Sequence, residues 1–405
     1  MLATIRVRHA VGPVAAAIVV MLNSTLTPQA AIRGDGITAA PCPVQDWQHD
    51  DPTFQALPGA KATFGRYDGG LYRIEIPDTW NGELVLWAHG FADNQGARGS
   101  TLALGNPGAG NVGAGPTFRQ HLSDRGFAWA ASSYRCNGYV PGIGLLDTLA
   151  LADLFSKTAG RSPARTYLAG GSMGGHTTLL GMQEFPRRFD GGLALCPAGA
   201  PTLDFLEAVA QRASTLTGVP LDGAMRAPDV LRFIEMLGTP PALTDKGREL
   251  ARAQLDMSGG PRPFAGEGLT SRFLVNIHDG VRVRAERTAG PDRYEERMPF
   301  DGLFERPLMT VHGTGDLYVP ISLQRDLKRA VDAAGRSQWL VQRTIRVPGH
   351  CGFSRAEQRR AFDDLVNWVR DGVRPEGDDV MGDLSNAGLK FTDPLRPGDP
   401  GMRTP

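Results

Sequence analysis

The stretch that most constrains this chain runs from Arg165 to His176 and reads Arg-Thr-Tyr-Leu-Ala-Gly-Gly-Ser-Met-Gly-Gly-His. An apolar run of strand formers enters Gly170-Gly171-Ser172-Met173-Gly174, and a helical pattern begins at once on the far side. A serine that is to attack an electrophile must stand at the tip of a turn so sharp that its own backbone is strained. Side chains two residues to either side would then collide with each other or with the neighbouring strand, so glycine is required there. The helix that follows aims its N-terminal N–H groups and the positive end of its dipole at the same point. A glycine-rich turn that happens to contain serine is the bland alternative, and it weakens as partners are found elsewhere in the chain.

Serine with its ordinary acidity needs a base within hydrogen-bond reach, and the base needs a third group to fix its tautomer. Of the eight histidines, His350 in Val347-Pro348-Gly349-His350-Cys351-Gly352-Phe353 follows the last predicted strand and precedes the last long helix. That loop can return over a sheet to the serine turn. The others are worse placed: His9 is in the signal-like N-terminus, His49 in an irregular region near it, His121 in a helical stretch and His278 in an insertion. His176 lies on the helix leading away from Ser172, and His312 ends a strand where packing is its expected role. The acid should follow a strand between serine and base. Asp316, in a glycine-containing turn after Leu308–His312, meets that requirement, with Asp301 and Asp190 as weaker substitutes and a helix cap or Asx turn as its alternative role. Two backbone donors are also needed for a tetrahedral oxyanion. The N–H of Met173, directly after the serine, is one candidate. The N–H of Phe91, in the turn His89-Gly90-Phe91, is the other, with His89 bracing that turn.

Patterning along the chain gives these residues a frame. Ala62–Tyr67 and Leu71–Pro77 alternate around Asp68-Gly69-Gly70, as in an antiparallel hairpin. Leu84–His89, Phe127–Ser133, the serine-turn strand, Gly192–Cys196, Leu308–His312 and Trp339–Val347 are apolar runs expected of buried strands. Helical patterns cover Thr117–Asp124, Leu145–Thr158, Gly175–Phe185, Ile321–Ala334 and Arg355–Asp371. Strands alternating with helices after an antiparallel start predict an α/β fold, a mostly parallel sheet with helices on both faces. Between Cys196 and Leu308 the pattern breaks. Helical stretches fill its first half, whereas its second half is mixed and includes the short runs Phe273–Ile277 and Val281–Arg284. The organisation predicted is a signal peptide over 1–31, a first core part over 32–197, an inserted, largely helical cap over 198–306, a second core part over 307–371 and a tail over 372–405.

Ser172, Asp316 and His350 in that order, with the serine turn and the His-Gly turn, resemble the α/β-hydrolase superfamily from about Ala62 to Asp371, leaving out the insertion. The resemblance implies acyl transfer to serine followed by attack of water, with no metal and no organic cofactor. Members that displace halide or open epoxides carry aspartate at the tip of the turn, and Ser172 speaks against those reactions. His350-Cys351 is also similar to secreted tannases and feruloyl esterases, in which a cysteine follows the histidine and pairs with one just before the serine. Here Gly171 takes that second place, so that bridge cannot form. Cys351 can still pair with Cys196 or Cys136, each of which follows a predicted strand on the site side; such a bridge would hold the His350 loop near Ser172.

Composition narrows the rest. Formal net charge is zero, with 43 basic and 43 acidic residues, so nothing argues for a nucleic-acid partner. Arg6, Arg8 and His9 precede the apolar stretch Val11–Leu22 and then small residues at Ala30 and Ala31, the parts of a cleaved secretory signal. That stretch is short for a span of about 20 residues, and no later segment suits one, so a secreted or periplasmic chain without a stable membrane span is expected. Four cysteines without C-x-x-C spacing speak against zinc and, in an oxidising compartment, for disulfides, with three pairings open. The reading is a secreted esterase or lipase-like serine hydrolase acting on small-molecule or polymer esters. An aminopeptidase-like serine peptidase is the first rival and would need an acidic clamp such as Glu295 and Glu296 for a substrate amine. A catalytically silent binding protein on the same scaffold is the second.

Overall fold

Runs such as Leu84-Val85-Leu86 and Leu193-Ala194 have no polar face to offer water, and all five residues are fully buried at the centre of a sheet. In the computed structural model, which describes residues 53–91, 107, 115–223, 225–289 and 300–394, that sheet has eight strands. β1 (Ala60–Tyr67) and β2 (Gly70–Pro77) form the predicted hairpin, and β2 pairs antiparallel with β4 (Ala128–Ser132). From β4 onward all neighbours are parallel: β3 (Glu83–Ala88), β5 (Arg165–Gly171), β6 (Gly191–Leu195), β9 (Leu308–Gly313) and β10 (Leu340–Ile345). The spatial order is β1-β2-β4-β3-β5-β6-β9-β10.

Helices cover both faces. α1 (Phe118–Asp124) and α9 (Arg355–Asp371) seal one face, where Phe118 and Phe362 pack with Val85, Trp129, Tyr167, Leu193 and Met309. α2 (Pro141–Thr158), α3 (Met173–Glu184) and α8 (Ser322–Ala333) lie on the other; Gln324 of α8 accepts a hydrogen bond from Thr310 of β9 at 2.6 Å. α2 starts at Pro141, four residues ahead of the predicted Leu145, because proline is pre-organised for the first helical position. This strand order, with its antiparallel start, parallel remainder and two helical layers, is the α/β-hydrolase fold.

The stretch between β6 and β9 holds α4 (Ala200–Thr217), α5 (Ala227–Leu237), the two-residue strands β7 (Gly238–Thr239) and β8 (Ala242–Leu243), α6 (Asp245–Met257) and α7 (Ala265–Ala289). Its second half differs from the mixed pattern expected: Phe273–Ile277 and Val281–Arg284 are turns of the single 25-residue helix α7. Leu269, Phe273, Ile277 and Val281 recur every four residues and are all buried, a helical stripe that hides behind locally strand-like runs. Residues after α9 cover the outer edge of β10. Asp378 N–H donates to Gln342 O at 2.7 Å and its carboxylate accepts from Thr344 N–H, so the edge strand is not left open. No described helix is long and apolar enough to cross a membrane. The predicted signal peptide, Cys42, His9, His49, Glu295 and Glu296 lie outside the described residues.

Candidate active site

β5 delivers Ser172 with φ +59° and ψ −121°, a left-handed conformation a serine adopts only under constraint. The constraint is visible in the two glycines flanking it. A Cβ on Gly174 would lie 2.0 Å from the carbonyl oxygen of Ala88, and one on Gly170 would lie 2.5 Å from that of Gly174. The backbone of the turn is pinned by Ser172 N–H donating to Leu195 O (2.9 Å) and by Ser172 O accepting from Ala198 N–H (3.0 Å) and His176 N–H (3.1 Å). Strand and helix therefore meet at the serine as the glycine spacing demands.

Around that hydroxyl the structure brings together residues far apart in sequence. His350 Nε2 lies 2.9 Å from Ser172 Oγ, and His350 Nδ1 lies 2.6 Å from Asp316 Oδ2. Nδ1–H donating to the carboxylate leaves Nε2 as the acceptor facing the serine. The other carboxylate oxygen, Oδ1, accepts from Tyr318 N–H (2.9 Å) and Val319 N–H (3.0 Å). Asp316 is fully buried, which pushes its carboxyl up, but the charge and hydrogen bond of His350, His312 and the Val319 N–H outweigh burial and hold it below its ordinary value. Tyr318 packs edge-on against the His350 ring at 5.2 Å.

Met173 occupies the first position of α3, where a backbone N–H has no acceptor within the helix. Gly90, in the opposing turn, comes so close that a Cβ there would sit 3.4 Å from Gly171 O and 3.5 Å from the Ser172 Cβ. Phe91 then lines, with Ser172, a narrow cleft whose other walls include Tyr139, Leu203, Leu206, Arg282, Val283 and Tyr318. Of the aromatic and sulfur side chains near the site, Phe91 and Tyr139 reach this cleft, whereas Trp87 packs against Phe118 and Met173 is buried in the core. His89 stacks on Tyr134 at 3.9 Å, and its ring nitrogens face the carbonyls of Gly90 (2.6 Å) and Ser133 (3.1 Å). That histidine braces the turn.

The remaining candidates are used elsewhere. Asp190 caps Thr166 N–H (2.8 Å) and Asp301 caps Leu303 N–H (2.9 Å). His176 is buried against the Tyr139 hydroxyl (2.9 Å), and His312 is buried with Nε2 donating to Val319 O (3.1 Å). Cys351 is bonded to Cys196, joining the carboxyl end of β6 to the His350 loop across 155 residues, and Cys136 is also disulfide-bonded. Cys196, His350 and Cys351 cluster as metal ligands would, but both sulfurs are committed to each other. Sequence reasoning passed over Arg262 and Asn276, which grip the Asp316 turn from the insertion. Only the unusual Pro261-Arg262-Pro263 triplet could have drawn attention to the first.

No protein-family model and no curated protein matches this chain. Among solved structures, an esterase from Aspergillus oryzae aligns with TM-score 0.49 and 12% identity over 78% of this chain and 80% of that one. An esterase from Pyrococcus furiosus aligns with TM-score 0.43 and 13% identity over 82% and 98%. The acylaminoacyl peptidase of Pyrococcus horikoshii gives TM-score 0.43 and 11% identity over 80% of this chain but 44% of its own.

Proposed function

We propose that this chain, on its α/β-hydrolase scaffold, is a serine hydrolase that cleaves carboxylic esters through an acyl-enzyme, with Ser172 as nucleophile, His350 as base and Asp316 as its orienting acid. One observation carries the reading: an unbroken hydrogen-bonded relay from Ser172 Oγ through both nitrogens of His350 to Asp316, at 2.9 and 2.6 Å. In the first half-reaction Oγ bonds to the ester carbonyl carbon while His350 Nε2 takes its proton. Asp316 stabilises the imidazolium without accepting that proton. The oxyanion faces the N–H groups of Met173 and Phe91, and collapse expels the alcohol, which receives the proton from His350. Water then repeats the sequence against the acyl-serine and releases the acid.

The cleft walls are mainly aromatic and aliphatic, with Thr202 and Arg282 as polar members, which suits an apolar acyl or aryl group. Residues 198–306 act as a cap: Leu203 and Leu206 of α4 and Val283 of α7 supply cleft walls. The Cys196–Cys351 bridge fits an oxidising compartment and, with the signal-like N-terminus, supports export. Aryl esters of graded acyl length and aminoacyl anilides, assayed side by side, test the substrate class. Ester turnover that disappears in Ser172→Ala, with anilides untouched, is the expected result; faster anilide cleavage would turn the reading into a peptidase. A fluorophosphonate should label Ser172 in the wild type, and absence of labelling would leave a silent scaffold.

A further inference from the structure

The turn carrying Asp316 takes its N–H acceptors and its carbonyl donors from different parts of the chain. Thr314 and Gly315 donate their N–H groups to Ile345 O (2.8 Å) and Val347 O (3.0 Å), beside and beyond the end of β10 in the core. Its carbonyls, in contrast, are held by side chains from the insertion. Arg262 Nε donates to Thr314 O at 2.5 Å and Nη2 to Asp316 O at 3.2 Å, while Asn276 Nδ2 donates to Leu317 O at 2.8 Å. Arg262 is in turn fixed by Nη1 donating to Gly260 O (2.7 Å) and Ser258 Oγ (3.2 Å). Backbone packing closes the same contact. A Cβ on Gly268 would lie 1.8 Å from Gly315 O, so the first turn of α7 rests directly on the acid turn.

A buried guanidinium is costly unless its surroundings compensate it. Arg262 is 9% exposed, and the acceptors it reaches are neutral oxygens, two on the acid turn and two on the Ser258–Gly260 stretch before it. Burial draws its pKa down to about 10, and the nearby Asp316 charge works against that shift. Pro261 and Pro263 pre-set the backbone on either side, so the fork reaches the turn with little freedom to lose. Neither Arg262 nor Asn276 is among the residues that line the cleft.

We propose that Arg262 and Asn276 are positioning residues that set Asp316 for His350, so that the insertion between β6 and β9 completes the catalytic relay as well as roofing it. The proposal rests on the Ser172–His350–Asp316 reading. A misplacement of about 1 Å at a reacting group can cost about 100-fold in rate, so loosening this turn acts on kcat. Arg262→Met and Arg262→Lys should lower kcat about 10- to 100-fold with KM within about twofold, and Asn276→Leu should lower it several-fold. Guanidinium ion should restore part of the rate to Arg262→Ala.

The decisive measurement combines these changes with Asp316→Asn. Because the clamp works through Asp316, Arg262→Lys should cost little or nothing further in that background. Thermal melts identify any variant that fails to fold; if Arg262→Met does, Arg262→Lys and Asn276→Leu answer the question. Folded variants with wild-type kcat, or losses that multiply fully with Asp316→Asn, overturn the proposal. Fluorophosphonate labelling of the wild type keeps the two ideas apart. A labelled Ser172 with unaffected clamp variants removes the clamp alone, whereas an unlabelled Ser172 removes the relay on which it rests.

Discussion

At Gly174 one methyl group decides whether Ser172 can stand where it does. An added Cβ would meet the Ala88 carbonyl at 2.0 Å, and both atoms belong to backbone that the sheet and α3 hold in place. Gly174→Ala should therefore cost about 1–3 kcal/mol of stability, as overpacking does, and abolish labelling of Ser172 in whatever fraction folds. A melt paired with labelling checks both; an alanine variant of normal activity would show that the turn is looser than its geometry. Asp316→Asn should keep the fold and lower kcat about 10⁴-fold, because the amide favours the wrong tautomer of His350. Ester kinetics at saturating substrate measure it. That Ser172, His350 and Asp316 come together could be read from sequence because the proposed chemistry forces their type and their place after a strand. Arg262 and Asn276 could not, since an arginine in a loop and an asparagine in a helix acquire meaning only when α7 is laid against the acid turn.

The elements that set the site divide along the same line. β5, β9 and β10 announce themselves as apolar runs, and Ser172, Asp316 and His350 each follow the end of one of them, so the loops that bring these three together were legible. α7 was not, because Phe273–Ile277 is strand-like over five residues and only the four-residue stripe from Leu269 to Val281 identifies the helix. The loop carrying His350 is an intermediate case. Its histidine was legible, but the choice of Cys196 over Cys136 as partner for Cys351 depends on β6 lying beside β9, which no local pattern reveals. With the carboxyl end of β6 tied to that loop, reduction, or Cys196→Ser with Cys351→Ser, should destabilise the protein by about 2–4 kcal/mol. It should also lower kcat more than it raises KM, because the residue next to Cys351 is the proposed base. Melting and kinetics with and without reductant test this, and full activity after complete reduction would show that the loop is held well enough without the bridge.

Across the whole molecule, the buried histidines link the fold to pH in one direction. Burial lowers the pKa of His176 to about 3 and that of His312 to about 4, from an ordinary 6.5, and displaces His89 the same way. Once unfolded, each regains a pKa near about 6.5, so between that value and its folded one the unfolded chain binds the extra proton. Stability must then fall as pH drops through this window, by about 1.4 kcal/mol per pH unit for each such histidine at the steepest. The depressed Asp316 carboxyl adds a loss of the same sign at lower pH, below its unfolded pKa of about 4. Neither imidazole hydrogen-bonds to Ser172, but His312 lies near enough to act on the Asp316 carboxyl, so only the His176 share of this dependence should separate from the chemistry. His312→Gln, whose amide can still donate to Val319 O, should give a shallower decline of unfolding free energy between pH 6.5 and 4.5 than the wild type. Denaturant titrations across that range decide the matter, and identical slopes would mean that these imidazoles accept protons within the native fold.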